Sequence, residues 1–306
     1  MIKDQIYTAS MGRKRYSSGL CGELLCATHL GVTTHFDASI YSFDGAMLRG
    51  LMCEVAKLRV EAFGSVGVAM SESEAIDRAD LDGTYRQLII WDNCAEQIIG
   101  GYRYAVGRST CPERLSFCRY FSLSERFRFE VLPCGVELGR SFVNLAYQRG
   151  GNAKSIFALD ALWQGLARIV DRERADYLFG RVTLYPSLGV RARNLLVGFM
   201  QYVFPAREPL AIAHEPLNVG LSHRCLCRYF NAASPRDNYR ILLGRMRQMR
   251  RAVPPMISSY MRLSPTMQTF DAYRNDDLGG VTECGIMLTI ADLYDDVIRR
   301  YFSEIV

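Results

Sequence analysis

The sequence lacks the features that would place it in a membrane, a secretory route or a metal-binding class. The uncharged run over residues 194–206 is thirteen residues long, short of the roughly 20 apolar residues that a spanning helix needs. The amino terminus opens Met1-Ile2-Lys3-Asp4 with no apolar signal core. No secretion signal is read, and a cytoplasmic location is expected. Histidine is scarce: His29, His35, His214 and His223 are all there are. The ten cysteines are scattered, as reduced thiols of a cytosolic chain are, many of them small core residues. Cys225 and Cys227 are the one close pair; their spacing is too short for a zinc knuckle and no second pair supports it. No metal is expected. Internal repeats and low-complexity linkers are also missing.

What is present is ordinary globular material. The chain has 306 residues, 49% hydrophobic and 23% charged, enough for one large α/β domain with extensions. Net charge is +5, and its distribution matters more than its size. Residues 224–251 hold eight arginines against one acid, Asp237, a local +7 that leaves −2 for the rest. Such a cluster predicts an acidic partner.

Periodicity predicts a helix over 44–63 from Leu48, Leu51, Met52, Val55, Leu58 and Ala62. Residues 72–82 read as an acidic polar loop. Residues 85–91 and 97–106 read as an antiparallel hairpin around the turn Asp92-Asn93-Cys94-Ala95, with Gly100-Gly101 marking a bulge or close backbone approach. A long connection of weak periodicity over 108–132 leads to a strand near 136–145. A Gly-containing turn, a helix over 153–170, a strand over 177–185 and a helix over 188–203 follow. A further helix over 235–251 would turn Leu242, Met246, Met249 and Val253 to the core and Arg236, Arg240, Arg247 and Arg251 to another face. Pro254-Pro255 breaks it. A strand over 285–290 and a terminal helix over 293–302 close the chain. The fold class is mixed α/β, with residues 1–43 as an amino-terminal extension, 44–306 as the domain, and an Arg-rich helical extension from about 206.

The segment with the most chemistry runs from Val136 to Ala153. Gln148, Gly151 and Ala153 fit the Q/R-x-x-G-x-G/A loop of GNAT acyltransferases. There, free N–H groups at a helix start receive the phosphate of a phosphopantetheine arm. Phe142, Val143, Asn144 and Asn152 join this candidate set, and N–H groups around 142–144 would face an oxyanion. An ordinary strand–turn–helix has the same local pattern. Glu137 and Arg140 sit just before the loop. Strict alternation puts them on opposite faces, and a bulge at Gly139 would bring both to one cleft. A strand Glu suits a general base, and an Arg suits a substrate carboxylate; a surface ion pair is the plainer alternative. Arg103, Asp80 and Asp82, Arg59 and Ser141 complete the candidates. The Asp pair could hold an ammonium group or be a solvated loop. A cysteine nucleophile is not assigned: Cys134 is the nearest to the strand, and no histidine lies close in sequence.

At these residues the sequence resembles the bacterial acyl-carrier-protein-dependent N-acyltransferases of ornithine-lipid and glycine-lipid synthesis, also labelled hemolysins and distantly related to the homoserine-lactone synthases. The resemblance runs from about residue 58 to the end. It rests on Leu58-Arg59-x-x-x-Phe63, Asp80-x-Asp82, Gly100-Gly101-Tyr102-Arg103 and Glu137-Leu138-Gly139-Arg140-Ser141. Further on it rests on Phe157-Ala158-Leu159-Asp160-x-Leu162-Trp163, Phe179-Gly180-x-Val182-Thr183-x-Tyr185-Pro186-Ser187 and Pro254-Pro255-x-x-x-x-Tyr260. The 157–163 and 179–187 pieces resemble the glycine branch more than the ornithine branch. The resemblance implies a GNAT-like fold, an acyl carrier protein as donor, no metal, and roles for Glu137, Arg140, Arg103 and the Asp pair. Arg236, Arg240, Arg247 and Arg251 would then dock the acidic carrier, with a solvated helix or an anionic inner-leaflet contact as alternatives.

Three other readings stay open. One is a short-chain enzyme using acetyl-CoA. The second is a nucleic-acid binder, since Tyr229 and Phe230 interleave with Arg224 and Arg228. Against it, the rest of the chain is net negative and no nucleic-acid module is recognised, so no nucleic-acid partner is expected. The third is an inactive membrane-surface scaffold, which the presence of Glu137 and Arg140 disfavours.

Overall fold

A computed structural model describes residues 18–34, 37–148 and 152–302. In chain order the elements are α1 (Ser18–Leu24), β1 (Thr28–Val32), β2 (Ala38–Asp44), α2 (Arg49–Gly64), α3 (Glu72–Ala75), α4 (Arg78–Leu81), β3 (Arg86–Asp92), β4 (Gln97–Val106), β5 (Phe121–Leu123), β6 (Gly135–Val143) and α5 (Leu145–Gln148). After these come α6 (Asn152–Glu173), β7 (Tyr177–Leu184), α7 (Val190–Val203), β8 (Ala211–Ala213), α8 (His223–Tyr229), α9 (Pro235–Gln248), α10 (Pro255–Met261), β9 (Gln268–Asn275), β10 (Val281–Thr289) and α11 (Asp295–Tyr301). Eight strands form one sheet in the order β1-β2-β3-β4-β6-β7-β10-β9, and β5 pairs with β8. Mixed α/β is therefore the fold class. Every pair in the large sheet is antiparallel except β6–β7.

The periodic segments became the expected elements because each has one face to bury. α6 places Leu162, Leu166 and Ile169 against Ile40, Leu88, Ile90 and Leu178 of the sheet. Burying each such side chain contributes about 1.5–3 kcal/mol. α6 stops where Arg174 turns left-handed (φ 46°) and the Ala175 N–H returns to the Val170 carbonyl, a 6→1 closure that satisfies an end carbonyl. α2 covers the opposite face, with Leu51, Met52 and Val55 on Phe43, Ile89 and Trp91. The connection over 107–134 covers the rest of that face through Phe117, Phe121 and Phe127, packed on Phe179 and Phe270.

Three expectations need correction. The boundary at residue 43 falls inside β2, which pairs with β3 along its whole length, so the amino-terminal strands extend the main sheet. The stretch after 206 is not a helical appendage: β9 and β10 close the far side of the same sheet. Residues 72–82 are not a loop. Ser71 with Glu74, and Asp77 with Asp80, form two consecutive capping boxes that start α3 and α4, each satisfying end donors reciprocally.

The feature that positions the site is a fork. β6 pairs with β7 only from Gly135–Tyr177 to Leu138–Gly180. Beyond it, β6 stays with β4 and β7 stays with β10. At the fork, a Cβ on Gly180 would lie 2.3 Å from the Leu138 carbonyl oxygen, so only glycine lets the strands meet there.

Candidate functional site

A cavity of about 750 Å³ opens in the fork, within the ~300–1,000 Å³ usual for ligand pockets. Its walls are residues 138–143 of β6 and 181–183 of β7, the end of α2 at Ala62 and Phe63 with Val66 just beyond it, and the segment 251–257 with Tyr260. The last segment had been read as a helix break and as a piece of the family resemblance, not as a wall of the site. The walls are largely apolar, with charged groups at two ends.

At the β4–β6 end, β6 carries the expected bulge. Arg103 faces Gly139 and Gly101 faces Phe142, so residues 140 and 141 stand opposite Tyr102 alone. Arg140 takes φ 47°, which a non-glycine residue adopts only where its surroundings hold it. The turn brings Arg140 beside Arg103. Both donate to Asp77 Oδ2, Arg103 at 2.5 Å and Arg140 at 3.2 Å. Asp77, Arg103, Arg140 and Ser141 all line the cavity. Burial would raise the Asp77 carboxyl, but the two guanidiniums hold it down at about 2. Arg140 is also anchored by donating to the Glu74 and Ala75 carbonyls. Gly139 leaves room for Arg103, whose Nε would lie 3.3 Å from a Cβ there.

Behind this pair, Arg59 and Asp80 are fully buried. Arg59 donates to Asp80 Oδ2 at 3.2 Å, to Gln87 Oε1 at 2.8 Å and to the Ala75 carbonyl. Burial, only partly offset by Asp80, lowers its pKa to about 10. Neither residue lines the cavity, so their expected substrate contact becomes a supporting role beneath Arg103. Asp82 is exposed and accepts from the Thr84 N–H and hydroxyl while pairing with Arg114 at 2.7 Å. It is the residue just past the end of α4, while Asp80 lies within that helix and is buried.

Glu137 is 1% exposed and is not in the cavity wall. It accepts from the Tyr85 hydroxyl at 2.8 Å, the Ser116 hydroxyl at 2.6 Å and the Phe117 N–H at 3.0 Å. The bulge therefore does not bring Glu137 and Arg140 into one open cleft as expected. Ser116 stands between Glu137 and the cavity, which Ser116 does line.

The β7–β10 end was not read from the sequence. Arg181 Nη1 donates to Tyr273 Oη at 2.8 Å and Glu283 Oε2 at 3.1 Å, and Nη2 donates to Ser116 Oγ at 3.2 Å. Glu283 also accepts from Thr183, Asn275 and Tyr273. Arg181 is the unspecified position inside Phe179-Gly180-x-Val182-Thr183, where strand alternation sets it on the Thr183 face. Asp77 was signalled by its capping-box spacing to Asp80. Glu283 had no local signal.

The phosphopantetheine candidates divide. Phe142, Val143 and Gln148 line the cavity, and Gln148 donates to the Val143 carbonyl at 2.7 Å. The Asn144 N–H is taken by the Ile99 carbonyl, so it cannot serve an oxyanion. Its side chain donates to the Ile98 carbonyl and accepts from the Ala146 N–H. Gly151 lies outside the described residues. Asn152 and Ala153 open α6, and their side chains lie outside them too.

The four arginines expected to dock a carrier do not share one face. Arg236 Nη2 donates to both carboxylate oxygens of Asp296 and its guanidinium stacks over Tyr294, and Arg240 pairs with Asp237 at 2.6 Å. Such exposed pairs are weak. Arg247 is exposed. Arg251 has left the helix: Arg250 turns left-handed at φ 53°, and Arg251 folds back to donate to the Leu188 carbonyl on the cavity rim.

The model of the acetyltransferase (GNAT) domain matches residues 58–158. A glycine N(alpha)-acyltransferase of Bacteroides thetaiotaomicron is 35% identical over 94% of this chain and 88% of its own length. One of Phocaeicola vulgatus is 35% identical over 84% of this chain and 81% of its own. Among solved structures, FeeM, an N-acyl amino acid synthase from uncultured soil microbes, overlaps 47% of this chain and 71% of its own at 12% identity and a TM-score of 0.32.

Proposed function

Since this chain belongs to the family of the glycine N(alpha)-acyltransferases, and so is an acyltransferase of the GNAT class, we propose that it moves a long fatty acyl chain, 3-hydroxylated or not, from the phosphopantetheine thioester of an acyl carrier protein to the amino group of glycine. The observation that carries the reading is the fork: a large, mostly apolar cavity between β6 and β7 whose charged groups stand at its ends. The thioester enters the fork beside Phe142, Val143 and Gln148, with its acyl chain along Phe63, Val66 and Phe142. Arg59, Arg103 and Arg140 outnumber Asp77 and Asp80 by one charge, and that surplus suits the acceptor's carboxylate. Glu137 is the proton acceptor. The lipo-amino acid product is amphiphilic, which fits a cytoplasmic enzyme working against the inner leaflet. Among the described residues no helix is long and apolar enough to cross a membrane.

The test is incubation with 3-hydroxypalmitoyl carrier protein and a mixture of free amino acids, followed by mass spectrometry. N-acylglycine is the expected product. Acetylation from acetyl-CoA with no product from the carrier protein would leave acyl transfer standing and remove the lipid substrate. Acylation of ornithine instead would move the acceptor alone.

A further inference from the structure

Glu137 cannot touch an acceptor directly, because Ser116 stands in front of it. The Ser116 hydroxyl has one proton and two lone pairs. Its proton points to Glu137 Oε1 at 2.6 Å, and one lone pair accepts from Arg181 Nη2 at 3.2 Å. The second lone pair remains, on a residue of the cavity wall. The other terminal nitrogen of Arg181 holds Glu283 Oε2 at 3.1 Å. One rigid guanidinium fork thus holds a hydroxyl and a carboxylate side by side, both in the wall. Glu283 is 5% exposed. Its Oε2 is occupied by Arg181, Tyr273 and Asn275, while its Oε1 accepts from the Thr183 hydroxyl at 3.1 Å, with capacity for another donor.

We propose that Ser116 and Glu283 form the subsite for the acceptor's amino group, and that Ser116 is a catalytic residue relaying the amine proton to Glu137. The inference rests on the N-acyl transfer reading and deepens it. Glu283 holds the ammonium form, whose proton passes to Ser116 Oγ as the Ser116 proton passes to Glu137. The neutral nitrogen then bonds to the thioester carbon. Collapse breaks the C–S bond. The leaving thiolate takes a proton from the nitrogen, and Glu137 releases its proton to solvent, which restores the enzyme. Arg181 is a positioning residue. Tyr85, Cys118 and Arg181 face Glu137, with Glu283, Tyr273 and Tyr120 around Arg181. Burial followed by the Glu137 charge raises the Tyr85 phenol and pushes the Cys118 thiol up to about 12. Both stay protonated near neutrality, so neither competes for the proton.

A plainer role is possible for the same contacts: Glu137 could merely pin residues 116 and 117. Steady-state kinetics with the carrier-protein thioester and glycine, from mildly acidic to strongly alkaline pH, separates the two. Ser116→Ala should lower kcat by ~100-fold or more near neutrality, the scale of general-base catalysis. It should regain most of the loss at alkaline pH, where glycine is already neutral. Ser116→Thr, which keeps the hydroxyl, should retain most activity. Glu283→Gln should raise KM for glycine ~10-fold or more, the scale of a charged hydrogen bond, without changing KM for the donor. Melting temperatures check that each variant is folded. A Ser116→Ala enzyme close to wild type, or one reduced equally at every pH, overturns the relay. A wild type that prefers another amine moves the glycine reading only, and the variants are then read with that amine. A wild type that acylates no amine from either thioester donor overturns both.

Discussion

At the β4–β6 end of the cavity three guanidiniums, those of Arg59, Arg103 and Arg140, share the carboxylates of Asp77 and Asp80. At the β7–β10 end a single guanidinium, Arg181, lies between Glu283 and the Ser116–Glu137 pair. The ends therefore carry surpluses of opposite sign. An amino-acid acceptor is itself a zwitterion, and its two charged groups want different neighbours. The first end is also layered: Arg59 and Asp80 are sealed beneath Arg103, and only Arg103, Arg140 and Asp77 meet the cavity. The second has its base behind a hydroxyl.

The largest effect should come from breaking the first end at its centre. Arg103→Met leaves Asp80 buried beside Arg59 alone and takes from Asp77 its shortest ion pair. Removing one partner of a buried ion pair costs about 3–5 kcal/mol, which denaturant unfolding would register. Arg140→Met should cost far less stability, under about 1 kcal/mol, because Arg140 is partly exposed and Arg103 still pairs with Asp77. Its expected effect is on function, a KM for glycine raised ~10-fold or more on the scale of a charged hydrogen bond. Equal destabilisation by the two substitutions would show that the layering is not what holds this end. Gly180→Ala acts between the ends: a Cβ 2.3 Å from the Leu138 oxygen must push β7 off β6, at a cost of about 1–3 kcal/mol. A neutral result in thermal unfolding would mean that the fork opens freely.

The two ends also differ in how far the sequence revealed them. Glu137, Arg140 and Arg103 lie on strands whose periodicity was plain, and their motifs are contiguous. The glycine bulge could be inferred because alternation alone would separate Glu137 from Arg140. Its outcome could not: the hydrogen bonds that bury Glu137 come from Tyr85 and from residues 116 and 117, in a connection without periodicity. Arg181 and Glu283 are 102 residues apart, and nothing local ties a β10 glutamate to a β7 arginine. The pairing of β10 with β7 does so, and pairing of distant strands is a tertiary fact. Asp77 was missed for a smaller reason. Its cap to Asp80 was legible, but a run of acids in a polar stretch was read as solvated, while Arg59 and Arg103 draw its neighbour Asp80 into the core. The arginines of α9 failed for a similar cause: helical spacing assigns Arg251 a face only if the helix continues, and it ends at Gln248.

A last test addresses the surplus charge of the first end directly. The Asp77 carboxyl is held at about 2 rather than 3.8, by Arg103 and Arg140 working against burial. A folded-state pKa below the unfolded one means that the unfolded chain binds the proton more readily, so this group's contribution is complete above about pH 4. It declines as pH falls from there and is gone once pH passes below about 2. Asp77→Asn removes that contribution at every pH. The variant should therefore melt below wild type at neutral pH, and the gap should close on acidification through that window. Asp82, Glu74 and Asp296 also have lowered pKa values, but they are present in both proteins and cancel in the difference. Melting curves of the pair across the window check this. A gap that stays constant would mean that Asp77 contributes through its capping hydrogen bond to α4 rather than through the two arginines.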